Sequence, residues 1–228
     1  MGLFSFHYDQ PGPGIDKNTP PKTGLSLFVE IFVREFWQLV KLNLLFVLTC
    51  LPIVTIGAAL GAMNKVTVRM VRDIPNDVWS DYWRGFRENW KSTTILGILG
   101  ALLFGGGFLG LSLYQAYPVL RVFTAAVLIF MGMFWLYLYP LLTSTTLSVR
   151  EAIHDAFLLP LLCFYHSLPV CLLIFLLFMM QILFLPLSVP ILLLFGFSIP
   201  CFIASFAAWS GIRRYILHDQ NQTPPANT

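Results

Sequence analysis

Charged residues are scarce in this sequence and missing from one long part of it. Only 11% of its 228 residues are charged, compared with about a quarter in soluble proteins. The range 156–212 contains no Asp, Glu, Lys or Arg. A charge near the centre of a bilayer costs about 3 kcal/mol, and about 20 apolar residues cross the hydrocarbon. This range is long enough for two crossings and predicts an integral membrane protein.

Other absences exclude several classes of function. The net charge is +3 without a run of like charges, so we expect no nucleic-acid partner. No hydrolytic triad, phosphate-binding loop or paired carboxylates occur, and the spans lack the ionisable groups that ion-coupled transporters use. We therefore expect no catalytic residue, no cofactor and no metal site. The cysteines and histidines are scattered without metal-ligand spacing, at Cys50, Cys163, Cys171, Cys201, His7, His154, His166 and His218.

What remains predicts an all-α fold, a polytopic membrane helix bundle with about five transmembrane helices and amphipathic interfacial helices. Residues 1–24 are rich in proline and glycine and lack the apolar core of a signal peptide, so we expect an extended segment. The membrane domain is predicted over 25–216, followed by a flexible tail over 217–228. Within it we predict an interfacial helix over 25–41, spans near 42–62, 93–114, 122–143, 167–185 and 191–210, and a polar loop over 63–92.

The first span has two interpretations. Pro52 lies inside it and cannot donate a helical hydrogen bond, so the segment either kinks and crosses or turns back as a re-entrant hairpin. Six Lys and Arg residues in the range 64–92 predict that this loop and the C-terminus are cytoplasmic in a cell membrane. We favour five crossings. The hairpin, however, would put the N-terminal cations on the cytoplasmic side as well.

Small residues recur at helical spacing in two of the predicted spans. Such spacing lets membrane helices approach closely. We therefore predict helix packing at Gly57, Gly61, Gly97, Gly105, Gly106 and Gly110.

The polar loop contains an aromatic and basic helix over 77–91. Its aromatic residues recur at steps of four, three and four, which places them on one side of a helix. On the other side Asp81 is expected to pair with Arg84, and Arg84 with Glu88, while Asp77 is a predicted N-cap. Such a surface suits either an interfacial membrane anchor or protein docking. The predicted partner-docking residues are Trp79, Trp83, Arg84, Phe86, Arg87 and Trp90.

Two sequence blocks resemble the YesL-like family of small bacterial multi-pass membrane proteins, a domain of unknown function. The first comprises Asn-Leu-Leu-Phe at 43–46 and Leu-Pro-Ile-Val-Thr-Ile-Gly at 51–57. The second is Asp-Tyr-Trp-Arg-Gly-Phe-Arg-Glu-Asn-Trp-Lys at 81–91. The resemblance implies a cell-membrane protein encoded near carbohydrate ABC importers, without established ligand or catalytic residues.

Three functions are compatible with these observations. The leading hypothesis is an accessory or assembly subunit of a carbohydrate ABC importer, in contact with its permease or ATPase subunits. The alternative is a stand-alone facilitator for a small uncharged solute, with a pathway lined by Tyr137, Tyr139, Ser144, Thr145 and Gln181. A membrane-embedded regulator is the third. The oligomeric state and the substrate stay open.

Overall fold

The computed structural model describes residues 24–88, 90–145, 148–185 and 187–214, and these residues are almost entirely helical. The predicted N-terminal segment, except Gly24, and the predicted tail lie outside them. The ten α-helices in the described residues are α1 Leu25–Arg34, α2 Phe36–Thr49, α3 Ile56–Val71, α4 Val78–Glu88, α5 Trp90–Leu113, α6 Pro118–Ser144, α7 Val149–Leu162, α8 Phe164–Leu183, α9 Val189–Leu194 and α10 Ser198–Ile212.

Within the described ranges, three helical segments are long and apolar enough to cross a membrane: Trp90–Ala116, Pro118–Ser144 and Phe164–Leu183. The first joins α5 to a short 3-10 helix, Tyr114–Ala116. Three of the predicted spans lie on these segments, and the all-helical membrane fold is confirmed. The chain is thus an integral membrane protein with helices suited to contact with a lipid bilayer. The first and last predicted spans fall on interrupted helices instead.

The predicted span over 42–62 is interrupted at Pro52. α2 ends at Thr49, Pro52 has an extended backbone, and a 3-10 turn leads into α3. The Thr55 hydroxyl donates to the carbonyl oxygens of Thr49 at 2.5 Å and Pro52 at 2.6 Å, which holds this turn together. At the opposite ends of the two helices, Arg34 pairs with Asp73 at 2.6 Å. The chain therefore turns back on itself, as in the hairpin interpretation.

The predicted span over 191–210 is divided between α9 and α10, and Asn43 of α2 bridges the gap. Its amide nitrogen donates to the carbonyl oxygens of Leu192 at 3.0 Å and Leu193 at 2.7 Å. Its amide oxygen accepts from the backbone N–H groups of Phe197 and Ser198, both at 2.9 Å. Asn43 is fully buried. One side chain thus bonds four backbone groups at the helix break, of which the carbonyl oxygen of Leu192 also accepts from the N–H of Gly196.

The structure also differs from the predicted polar loop over 63–92 and from the predicted interfacial helix over 25–41. α3 continues to Val71, so most of the range 63–88 is helical and only 72–77 separates α3 from α4. The interfacial range 25–41 comprises α1 and the start of α2, with Glu35 between them. α3 extends about two turns beyond the predicted span over 42–62. Helices α4 and α10 bury these two turns, and this burial compensates for the polar residues that they contain.

Glycines allow α3 and α5 to cross at backbone contact. A Cβ at Gly97 would lie 2.5 Å from the Cα of Gly57, and a Cβ at Gly61 would lie 2.7 Å from the Thr93 side chain. A Cβ at Gly110 would meet Tyr114 and Thr124 at 3.2 and 3.4 Å. At Gly105 and Gly106, no atom of the described chain lies within 4 Å of that position. Of the six predicted packing glycines, these two therefore have no helix packed against them.

Candidate docking surface

Helix α4 begins at the residue that the sequence predicted. The Asp77 carboxylate accepts a hydrogen bond from the backbone N–H of Ser80 at 3.2 Å, so the predicted N-cap is confirmed. The helix is strongly amphipathic. Val78, Tyr82 and Gly85 are buried against neighbouring helices, whereas the opposite side is open.

The buried side of α4 fixes the helix against α2 and α3. The hydroxyls of Tyr82 and Thr49 share a hydrogen bond of 2.5 Å, and both residues are buried. Burial raises the pKa of the Tyr82 hydroxyl above its ordinary value, since the phenolate would lose its hydration. Gly85 permits close approach, because a Cβ there would lie 3.3 Å from the Cα of Ala62. The helix is thus held as a rigid support for its outer side.

Ion pairs link α4 to itself and to α3. Asp81 pairs with Arg84 at 2.9 Å, and Arg84 lies 3.8 Å from Glu88, so both predicted pairs are confirmed. Two further pairs join the helices: Arg69 with Asp81 at 3.1 Å, and Lys65 with Glu88. Sequence spacing within one helix predicts only the first two pairs. The other two depend on how α3 packs against α4, and no local sequence signal indicated them.

Aromatic rings form a continuous series along α4 that runs from the open Trp79 to Phe86, which packs against the buried core. The ring centroids of Trp79 and Trp83 are 6.1 Å apart, and those of Trp83 and Phe86 are 5.7 Å apart, both in edge-to-face orientations. Trp79 is 62% exposed, whereas Trp83 and Phe86 are half-buried. Trp90 begins α5 and is 46% exposed. We call Trp79, Trp83, Arg84, Phe86, Arg87 and Trp90 the outer surface of α4.

The two arginines on this surface differ in how they are paired. Arg84 is engaged by Asp81 and Glu88. Arg87 is exposed and forms neither an ion pair nor a hydrogen bond with any described residue. An unpaired guanidinium beside exposed indole rings can form a bidentate hydrogen bond with a partner carboxylate. Arg87 is therefore the available cation of the outer surface, and Arg84 is part of its support.

The five side chains expected to line a solute pathway lie at separate places. Tyr137 shares a hydrogen bond of 2.6 Å with Ser167, and Gln181 donates to the carbonyl oxygen of Gly196 at 3.2 Å. Ser144 and Thr145 donate to carbonyl groups of their own helix. Tyr139 is buried, and its hydroxyl lies 3.4 Å from the Cβ position of Gly97. Hydrogen bonds among the described residues do not connect these groups into one path.

Comparison with known proteins finds a match to one family model and indicates no activity. A family model described as "Protein of unknown function, DUF624" matches residues 39–112. This range runs from α2 into α5 and includes all six residues of the outer surface of α4. The chain matches no curated protein. It also matches no solved structure.

Proposed function

We propose that this protein is a non-enzymatic accessory or assembly subunit of a carbohydrate ABC importer in a bacterial cell membrane. In this proposal the outer surface of α4 faces the cytoplasm and binds a permease or ATPase subunit of the importer. The single observation that carries the proposal is Trp79, a large aromatic side chain that is 62% exposed on a helix held rigidly from behind.

The chemistry of the outer surface supports a protein partner. Tryptophan and arginine dominate the binding energy of protein interfaces because they combine large apolar area with directional hydrogen bonding. Trp79 and Arg87 are one such pair, two turns apart on α4. Since the buried side already fixes this helix, docking would cost little conformational entropy.

Family resemblance supports the class of partner. The first block, at 43–46 and 51–57, and the second, at 81–91, resemble YesL-like proteins, which are commonly encoded beside carbohydrate ABC importers. The matched domain range 39–112 includes both blocks. The positive-inside rule supports the cytoplasmic orientation. The Arg34–Asp73 pair supports it as well, because it places an N-terminal cation on the same side as the polar loop.

Co-purification tests this proposal. The tagged full chain is expressed in a bacterium that is growing on an inducing oligosaccharide, and the membranes are solubilised in a mild detergent. We expect importer subunits in the eluate of the unmodified protein. Trp79→Ala should reduce their yield about tenfold or more, as is typical for the loss of an interface hot spot.

Tyr117 provides a matched control for that variant. It is also an exposed aromatic residue, 67% accessible, but it lies in the turn between α5 and α6. Tyr117→Ala should leave the yield of importer subunits unchanged. Recovery of no importer subunit by the unmodified protein, or equal losses in the two variants, would contradict the proposal.

A stand-alone facilitator is the second candidate, and one buried polar atom without a hydrogen-bond partner supports it. The amide oxygen of Gln181 is buried without a hydrogen-bond partner among the described residues, and its amide nitrogen bonds Gly196 in the break between α9 and α10. Transporters often bind solutes at interrupted helices. Flux of a neutral sugar into proteoliposomes that contain only this protein would favour this candidate, and Gln181→Leu should then abolish the flux.

A further inference from the structure

A groove of about 380 Å³ runs between one side of α2 and the first turn of α4. This volume lies within the range of about 300–1,000 Å³ that is common for ligand sites. The α2 wall is formed by residues three and four positions apart, among them Lys41, Leu44 and Leu48, while α4 contributes Asp77 and Trp79. The groove lies beside the outer surface of α4 and shares only Trp79 with it.

The two walls of the groove run in the same direction. Both are antiparallel to α3: Arg34, just before α2, pairs with Asp73, just after α3, and Arg69 and Lys65 of α3 pair in turn with Asp81 and Glu88 of α4. At the other end, Thr49 of α2 shares a hydrogen bond with Tyr82 of α4. Asp77 therefore lies toward the end of the groove that contains Lys41.

The two ends of the groove differ in polarity. Lys41 is exposed and forms no ion pair or hydrogen bond with a described residue. Asp77 is exposed as well, and among the described residues its carboxylate accepts only the capping N–H of Ser80. Beyond them the groove is apolar, with Leu44 48% exposed and Leu48 58% exposed. One unpaired charge of each sign is thus followed by a strip of exposed hydrocarbon.

We propose that this groove binds a phospholipid whose headgroup carries a phosphate and a primary ammonium, as in phosphatidylethanolamine. Lys41 donates to the phosphate, Asp77 accepts from the ammonium, and an acyl chain lies against Leu44, Leu48 and Trp79. Charge complementarity selects this occupant. An anionic lipid without an ammonium would satisfy Lys41 but bring its negative charge close to Asp77. A quaternary ammonium cannot donate a hydrogen bond to that carboxylate.

Lipid titration of the purified full chain tests the proposal. The delipidated protein in detergent is mixed with phosphatidylethanolamine, phosphatidylglycerol or phosphatidylcholine of identical acyl chains, and bound copies are counted by native mass spectrometry. We expect one tightly bound copy per chain and the strongest binding for phosphatidylethanolamine. Lys41→Gln should weaken it about fivefold to tenfold, the effect of losing one charge-assisted hydrogen bond.

Asp77→Asn gives the sharper test, because asparagine caps a helix as well as aspartate does. The variant keeps α4 but removes the negative charge, so the preference should reverse toward phosphatidylglycerol. Arg121→Gln is the control: Arg121 is another exposed cation, located at the start of α6. That variant should bind all three lipids like the unmodified protein.

Fluorescence locates the bound lipid independently of affinity. Phosphatidylethanolamine brominated in its acyl chains should quench the fluorescence of Trp79. The quenched fraction of the total tryptophan fluorescence should therefore be smaller in Trp79→Phe than in the unmodified protein. An unchanged lipid preference in Asp77→Asn, or equal effects of Lys41→Gln and Arg121→Gln, would overturn the proposal. So would stoichiometric binding of an amphipathic importer peptide that phosphatidylethanolamine does not displace. No importer subunit is needed for the lipid measurements, so their outcome is separate from that of the docking proposal.

Discussion

Helices α3 and α8 are both rich in apolar residues, yet their surroundings are opposite. Of the 16 residues of α3, 12 are buried by the rest of the chain. Of the 20 residues of α8, only Ser167 is buried. The apolar surface of α3 is therefore satisfied by the protein's own core, whereas that of α8 requires lipid or a second protein. Composition reflects these two roles, since α3 contains Lys65 and Arg69 whereas α8 contains no Asp, Glu, Lys or Arg.

Specific contacts within the protein stabilise the packed region, which comprises α1 to α4 and α10. The apolar surface of α8 is stabilised by what surrounds the protein instead. α1 to α4 and α10 share one hydrophobic cluster around Phe202, reinforced by ion pairs and buried hydrogen bonds. Leu172, Phe175 and Leu176 of α8 are instead exposed. Substitutions should therefore cost more stability in the first region than in the second.

The largest contrast is expected within one helix, α5. Gly97→Leu would place a side chain against the backbone of Gly57, 2.5 Å from its Cα, and should destabilise the fold by about 3 kcal/mol or more. Gly105→Leu adds the same side chain where no described atom lies within 4 Å. It should leave the thermal unfolding midpoint in detergent almost unchanged. Equal losses would show that Gly105 packs against something, such as a second copy of the chain.

The next largest effect is expected at Asn43. Asn43→Leu removes four hydrogen bonds and leaves backbone groups at the α9–α10 break unpaired, at a cost of about 3 kcal/mol. Asn64 is a matched control. It is also buried, but it donates to Leu60 in its own helix, so Asn64→Leu should cost much less. Denaturation followed by circular dichroism compares the two, and similar losses would contradict the role assigned to Asn43.

A smaller effect is expected where α4 joins α2. Tyr82→Phe removes its hydrogen bond with Thr49 and should cost about 1 kcal/mol. Because burial raises the pKa of the Tyr82 hydroxyl, the folded state keeps its proton when the unfolded chain begins to ionise near pH 10. Stability should therefore fall as the pH rises above about 10, and less steeply in Tyr82→Phe. Identical slopes would show that this hydroxyl ionises in the folded protein.

The smallest effect is expected at the start of α7. Ser148 and Glu151 form a reciprocal capping box, and the backbone hydrogen bond from Ser148 lowers the pKa of Glu151. Ser148→Ala should cost about 1 kcal/mol or less. Ser210→Ala removes only a bond within α10 and should have no measurable effect. A larger loss in Ser210→Ala would reverse this assignment.

Sequence patterns predicted the features that depend on local chemistry. The long apolar helices, the Asp77 cap and the two ion pairs within α4 follow from composition and from spacing along one helix. Pro52 also indicated where the first apolar segment breaks, although the hairpin was the less favoured interpretation. Lipid-facing helices are readily predicted, since their whole surface is apolar.

Features that depend on contacts between distant segments could not be predicted. Asn43 is one of several polar residues in α2, and its partners lie about 150 positions later in the chain. The break between α9 and α10 contains Gly196 but no proline at 195–197, and one glycine within an apolar run is a weak signal for an interruption. The glycines of α5 look alike in sequence, and only the position of α3 separates Gly97 from Gly105.

Site-specific photo-crosslinking in native membranes tests the central claim most directly. A photoreactive phenylalanine analogue replaces Trp79, and Tyr117 in a parallel sample, in cells induced for oligosaccharide uptake. We predict a crosslinked band at residue 79 that contains a permease or ATPase subunit and is absent at residue 117. Crosslinks from residue 79 to lipid alone would contradict a protein-docking role and leave only the lipid contact proposed for the groove.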